Sequence, residues 1–287
     1  PYLKCSSTFC VTKPNGENNM DKSQYLIKMR PKNHVLVLGG SGGIGSETVL
    51  ALAANGAEVI TIGYSGNQAA AETLKAKVQS WGVKAFTSKI DRSSFAAMKA
   101  TVETIVKQAG REITGVVDAI GISPNIPFED FTLESMDQVY NVNVRGCIVS
   151  TKVIAERMVA KRVRDALFVI ITSTNGDNSF SAQSLAYDMS KRSLDNPVAS
   201  LAEHFALDGI RFIGVAPGWI NTGMNDSLPK GMLKREVKFV YMARQGEAIE
   251  VGKFIAATMM DSHSYVTGTT FKIDGGYPRR NPPRKKK

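Results

Sequence analysis

Short apolar runs, rich in β-branched residues, recur along this chain at Val35–Leu38, Val59–Ile62, Ala85–Ile90, Gly115–Ile120, Ala166–Thr172, Arg211–Ala216 and Thr269–Ile273. Between them, residues 43–55, 67–81, 93–110, 132–160, 184–208 and 247–260 read as helices. Strand–helix alternation with strands this apolar predicts a parallel sheet covered by helices on both faces. With right-handed crossovers, about seven strands give a single-domain, doubly wound α/β fold. In such sheets a ligand sits beyond the carboxyl ends of the strands.

Both ends break the rhythm. Residues 1–33 lack apolar periodicity and read as an arm, residues 34–277 as the one folded domain, and residues 278–287 as a Pro-rich basic tail. The formal charge of +10 divides accordingly. Residues 1–33 carry six Lys/Arg and two acids, residues 279–287 six Lys/Arg and no acid, and the body 24 of each. A basic globular face for nucleic acid is therefore not supported, whereas basic tails are. Thr222–Gln245 is also irregular, with Gly223, Pro229 and Gly231, and is long enough to read as a lid.

Cys5, Cys10 and Cys147 imply no disulfide framework and a reducing compartment. The longest apolar runs are too short to span a membrane, so a cytoplasmic location is expected. The start stays open: Met20 as an internal start, or residues 1–30 as an added or a targeting segment. A targeting segment would make the location organellar.

The candidate chemistry begins at Leu38-Gly39-Gly40-Ser41-Gly42-Gly43-Ile44-Gly45, which follows the first strand and opens a helix. Gly39 permits a tight turn, Gly43 a close backbone approach to a pyrophosphate, and Gly45 tight helix–strand packing. Ser41 and Ile44 belong to the same cradle, and the helix N-terminus favours an anion. This makes the predicted fold Rossmann-like. The second strand ends Tyr64-Ser65-Gly66-Asn67 without a carboxylate. An acid there would hold the ribose of NAD and repel a 2′-phosphate, so NADP(H) is favoured, with NAD(H) the alternative. Asp91 reads as a partner for the adenine amine or as a helix cap near Ser93.

Tyr187 and Lys191, in Tyr187-Asp188-Met189-Ser190-Lys191, share one helix face. An ammonium about 4 Å from a phenol, at an effective dielectric near 20, is worth roughly 4 kcal/mol, or about three pKa units. Ser173, at the end of the fifth strand, can hold a substrate oxygen while Tyr187 transfers the proton. Thr174 is the alternative. With the glycine loop, these residues imply hydride transfer between a nicotinamide and a carbonyl or alcohol.

From about residue 34 to 277 the chain resembles a classical short-chain dehydrogenase/reductase. The matching motifs are Gly39–Gly45, Asn143 in Asn141–Val144, Ser173–Gly176, Tyr187–Lys191, Pro217–Thr222, and Tyr265–Gly268 leading to Asp274-Gly275-Gly276. The resemblance implies a tetrad of Ser173, Tyr187, Lys191 and Asn143, the Asn helping to hold a water that relays protons to the Lys. It also places Gly121, Pro217, Gly218, Ile220 and Thr222 against the cofactor, and implies a homo-oligomer, dimeric or tetrameric. Within the family the chain is most similar to the 3-oxoacyl-[acyl-carrier-protein] reductases of fatty acid biosynthesis and to glucose-dehydrogenase-like relatives. Departures are Asp118-Ala119-Ile120-Gly121 for the usual Asn-Asn-Ala-Gly, Leu38 for Thr or Ser, and Ile213 for Asn. Pro197 is expected to kink or interrupt the helix one to two turns after the Tyr–Lys pair.

His34, His204 and His263 lack metal-ligand spacing, and no metal is expected. Cys147 reads as core. Ser123, Phe128, Gln183 and Met224 are candidate pocket residues, and Trp219 and Phe180 either wall the pocket or simply pack. Three functions compete: an NADP-dependent reductase of a 3-oxoacyl thioester or similar ketone, an alcohol or sugar dehydrogenase, and a non-catalytic protein of the same fold associating with nucleic acid or a complex through its basic ends.

Overall fold

The computed structural model describes residues 33–177, 182–260 and 263–278. The N-terminal arm with Cys5 and Cys10, Phe180, and the basic residues from Arg279 onward lie outside them. Seven strands form one parallel sheet: β1 (His34–Leu38), β2 (Val59–Tyr64), β3 (Lys84–Lys89), β4 (Gly115–Asp118), β5 (Ala166–Ile171), β6 (Ile210–Pro217) and, last in the chain, β9 (Thr269–Ile273). Their order is β3-β2-β1-β4-β5-β6-β9. The order reverses between β1 and β4, and a cleft opens at that point.

Apolar side chains on both faces of β1, β2, β4, β5 and β6 require cover on both sides. Helices α1 (Gly43–Ala54), α2 (Gln68–Gln79) and α9 (Ala248–Thr258) supply it on one face, packing Val49, Leu52, Ala71 and Ile255 onto Val37, Ile60 and Val215. On the other lie α3 (Phe95–Ala109), α5 (Gly146–Ala160) and α7 (Asp195–Phe205), whose core includes Phe168 stacked on Phe212 at 4.7 Å. Caps set the helix ends. Asn67 Oδ1 accepts from Ala70 N at 3.0 Å at the start of α2, and Gly110, at φ 71°, ends α3. Leu38 and Ile213 are fully buried, so both apolar departures serve the core.

Two expected helices are divided. Residues 132–160 form α4 (Leu133–Tyr140), a π-turn over Asn141–Arg145, and then α5. The 184–208 stretch forms α6 (Leu185–Arg192) and α7, interrupted at Ser193–Leu194. Pro197 does interrupt helix here, but the break precedes it. The proline sits in the first turn of α7, where its missing N–H leaves no bond unmade.

The 222–245 segment is a compact cover rather than an open loop. It holds a 3₁₀ turn (Gly223–Ser227), α8 (Met232–Glu236) and a second 3₁₀ turn (Val237–Phe239). Its two roots are paired: β7 (Ile220–Asn221) lies parallel to β8 (Gly246–Glu247). Tyr277 Oη donates to Glu236 Oε2 at 3.1 Å, and Met242 N donates to the Gly275 carbonyl at 3.1 Å. The Asp274-Gly275-Gly276-Tyr277 stretch thus holds the far end of the cover. Among the described residues no helix is long and apolar enough to cross a membrane.

Candidate active site

A cavity of about 680 Å³ runs from the start of α1, past the ends of β4, β5 and β6, to the inner side of the 222–245 cover. Gly39, at φ 75°, makes the turn after β1, and Gly45 passes so close beneath it that a Cβ there would lie 2.1 Å from the Gly39 carbonyl oxygen. The first turn of α1 has neither a side-chain cap nor an acidic residue, and Gly43, Ile44 and Gly45 line the cavity. A Cβ on Gly43 would meet Thr222 Cγ2 at 2.7 Å, so α1 approaches Thr222 more closely there than a side chain would allow. An uncapped helix start, reached only past glycine, fits the diphosphate of a dinucleotide.

The chemistry-bearing side chains converge on the other side. Ser173 follows β5 in extended conformation, and its Oγ accepts from Asn175 N at 3.1 Å. Tyr187 projects from α6 toward the Ser173 hydroxyl, which acts on its phenol. Lys191, one turn on and 3% exposed, donates from Nζ to the Ile171 carbonyl at 2.8 Å. Asn143 sits in the π-turn, where the widened helix aims its amide at the loop after β4. Its Oδ1 accepts from Ile122 N at 2.9 Å, and its Nδ2 donates to the Ile122 carbonyl at 3.0 Å and to Ser190 Oγ at 2.9 Å.

The electrostatics differ from the sequence expectation in one respect: the phenol is raised, not lowered. The Lys191 nitrogen lies 5.8 Å from the centre of the Tyr187 ring. Burial is the dominant influence on both groups. It pushes the phenol above its ordinary value, against the hydrogen bond from Ser173. It draws Lys191 down to about 8, against the carboxylate of Asp118. Cys147, 2% exposed, is core as expected, and burial pushes its thiol up.

Of the residues proposed from sequence, Gly43, Ile44, Gly45, Gly121, Ser123, Ser173, Tyr187, Lys191, Pro217, Gly218, Trp219, Ile220, Thr222 and Met224 line this one cavity. Gly39 and Asn143 shape it from behind. Ser41, Tyr64 and Ser65 lie outside its lining, at the β1 and β2 ends. Asp91 Oδ1 accepts from Ser93 N at 3.0 Å and Ser93 Oγ at 2.7 Å, while Ser94 caps α3. One oxygen of the Asp91 carboxylate therefore braces its own turn. Thr174 is fully buried, with Oγ1 donating to the Pro217 carbonyl at 3.3 Å, and only Ser173 of the two reaches the cavity. Phe128 is exposed and stacks on Phe131, and Gln183 contributes a carbonyl that accepts from Ile126 N at 3.0 Å; neither lines the cavity.

Asp188 was missed. It is buried beside Tyr187 and accepts from Asn175 Nδ2 at 2.9 Å and Ser184 Oγ at 2.8 Å, so it fixes two cavity-lining polar groups. A charged residue within the buried Tyr–Lys turn was the available signal.

Residues 39–278 match the family described as "Enoyl-(Acyl carrier protein) reductase". The chain belongs to the short-chain dehydrogenase/reductase family. It is accordingly an NAD(P)-dependent oxidoreductase acting on a carbonyl or alcohol. This short-chain dehydrogenase/reductase is 28% identical over 242 residues to a 3-oxoacyl-[acyl-carrier-protein] reductase of Synechocystis sp., covering 84% of this chain and 95% of the relative. It is 27% identical over 274 residues to an NADP-dependent mannitol dehydrogenase of Aureobasidium melanogenum, covering 94% and 99%. The solved short-chain dehydrogenase/reductase of Serratia marcescens superposes with a TM-score of 0.78 at 27% identity, over 86% of this chain and 98% of that one.

Proposed function

We propose that the chain is an NADP-dependent reductase of a 3-oxoacyl thioester or similar ketone. The observation that carries this reading is the convergence of Ser173, Tyr187 and Lys191 on the cavity that the uncapped start of α1 also lines. Gly43, Ile44 and Gly45 would hold the diphosphate, and Pro217, Gly218, Ile220 and Thr222 the nicotinamide end. When bound, the reduced cofactor supplies a hydride to the carbonyl carbon. Ser173 Oγ and Tyr187 Oη orient and polarise the carbonyl oxygen. As the carbon accepts the hydride, the phenol proton passes to that oxygen, leaving an alcohol and a tyrosinate. The Lys191 ammonium stabilises the tyrosinate, and Asn143 holds the loop along which a replacement proton arrives. The absence of a carboxylate at Tyr64-Ser65-Gly66-Asn67 supports NADP(H) over NAD(H), as does the NADP-dependent relative.

Oxidation of NADPH and NADH with an acetoacetyl thioester, beside Tyr187→Phe, tests the reading. Turnover with NADPH that disappears in the variant is expected; tight cofactor binding without turnover would sink the substrate assignment.

A second reading, a sugar or alcohol dehydrogenase, is favoured by the uncharged polar lining at Ser123, Asn125, Gln138, Asn175, Ser184 and Asn225. These groups suit a polyol, and oxidation of mannitol with NADP⁺ separates the two. Association with nucleic acid through the ends rests on segments outside the described residues. A salt-sensitive association lost on deleting Arg279–Lys287 would support it. The groove between α5 and α7, lined by Ile148, Thr151, Leu201 and Phe205, supports a homo-oligomer, to be read by sedimentation.

A further inference from the structure

Arg92 and Asp118 are 26 residues apart, yet they meet inside the protein with side chains only 10% and 5% exposed. One guanidinium nitrogen of Arg92 donates to both Asp118 oxygens, at 2.9 and 3.2 Å. The other donates to the Val142 carbonyl at 2.7 Å, in the π-turn immediately before Asn143. Asp118 ends β4 and accepts from Ile120 N at 3.2 Å, two residues before the Ile122 backbone that Asn143 grips. Arg92 therefore ties together the two pieces of backbone whose relative position sets Asn143. Space has been made for it: a Cβ on Gly146, the first residue of α5, would lie 2.5 Å from Arg92 Nε. A helical glycine costs about 1 kcal/mol relative to alanine, so its presence under the guanidinium is explained by that contact.

The pair also bears on the lysine. Beside burial, which draws it down, the charged groups acting on Lys191 are the Asp118 carboxylate, which favours its charged form, and the Arg92 guanidinium, which opposes it; the raised Cys147 thiol beside them is neutral. Tyr187 stands beside it, with the ring centre 5.8 Å from the nitrogen. The carboxylate and the guanidinium form a neutral unit with opposed fields at one ammonium.

Resting on the reading of Asn143 and Lys191 as part of the proton path, we infer that Arg92 and Asp118 are a buried positioning pair that holds the Asn143 turn against the Ile122 loop and balances the field at Lys191. Neither touches the substrate.

The test needs no substrate. Protein carrying ¹³Cε-lysine is titrated by NMR, and the signal with a midpoint near 8 is assigned by its loss in Lys191→Met. Asp118→Asn removes the favouring charge and keeps the shape, so the midpoint is expected to fall by about one pH unit, a tenfold change in the proton affinity. Arg92→Gln removes the opposing charge, and the midpoint is expected to rise. Midpoints unmoved in folded variants, or moved the same way by both, would overturn the inference. If either variant does not fold, Arg92→Lys keeps the charge but cannot span Asp118 and Val142. Amide exchange at Asn143 and Ile122 should then quicken by about tenfold, and unchanged exchange would overturn it. These readouts remain valid if Tyr187→Phe proves active, so failure of the pair and failure of the catalytic reading are distinguishable.

Discussion

The Lys191 ammonium donates to the Ile171 carbonyl at 2.8 Å rather than to the Tyr187 phenol. The lysine is thus fixed by the end of the strand that leads into Ser173, with its nitrogen 5.8 Å from the centre of the Tyr187 ring. Its charge is buried and drawn down to about 8, which means that the fold holds the proton less well than the unfolded chain does.

Replacement of Lys191 by Met should therefore separate activity from stability. Turnover should fall by about 10²–10⁴-fold, the range typical of an acid–base component. The melting temperature should hold or rise, because a buried charge has been replaced by apolar volume. Steady-state rates beside thermal melts check both; a large loss of stability would point to a structural role.

The pH profile has a worked sign. Reduction needs the proton on Tyr187, and burial, raising its affinity, keeps it there through neutrality. Lys191 loses its charge as pH rises through about 8, and with it the stabilisation of the tyrosinate. The rate of carbonyl reduction should be level below that point and decline above it. In Lys191→Met the residual rate should lose that alkaline limb.

His34 gives a prediction about stability. Nε2 lies 2.9 Å from Thr61 Oγ1 and Nδ1 3.2 Å from the Arg111 carbonyl, in full burial at the start of β1. Burial lowers it to about 4. The unfolded chain takes up the proton first, so stability is complete above about pH 6.5 and falls as pH drops toward 4, by about 3 kcal/mol. Denaturant melts at pH 7 and 4.5 measure the loss, which should shrink in His34→Asn.

Glycine substitutions should grade by what the new methyl meets. In Gly45→Ala it meets the Gly39 carbonyl, which belongs to a turn that cannot yield, and cofactor affinity and about 1–3 kcal/mol of stability should be lost. In Gly43→Ala it meets the Thr222 side chain, so the effect should fall on cofactor binding with little change in melting. Cofactor titrations beside thermal melts distinguish the two.

Ser173→Ala and Thr174→Ala should likewise part company. The first should reduce turnover by about 10²-fold with the fold intact. The second should cost about 1 kcal/mol through the Pro217 bond and leave turnover nearly unchanged.

Local patterns made much of this legible in the sequence. Every strand of the main sheet carried its own apolar run, and Gly39–Gly45 and Tyr187–Lys191 are contiguous. What escaped is tertiary. The π-turn at Asn141–Arg145 continues a helical pattern and is set by what Asn143 must reach. The interruption near Pro197 was legible, but not its place at Ser193–Leu194, ahead of the proline. Arg92 and Asp118 each look like a polar residue at a strand end, and only the folded sheet makes them a pair. Phe128 lies in the 121–131 segment expected to line the pocket, yet its loop turns the ring outward.

The paired roots of the 222–245 segment carry a consequence for how this enzyme can change. β7 and β8 bring Asn221 and Glu247 into register before the cover begins, and Asn221 Nδ2 bonds Glu247 Oε2 at 3.1 Å. Loop closure is already accomplished at the base, and further length adds only a slowly growing entropic cost. The segment between them is then an exchangeable cassette. Met224, Leu228 and Met232 can be swapped, lengthened or shortened as a block while the sheet, the glycine turn and the Tyr–Lys helix stay as they are. New substrate ranges are open to such a chain by grafting.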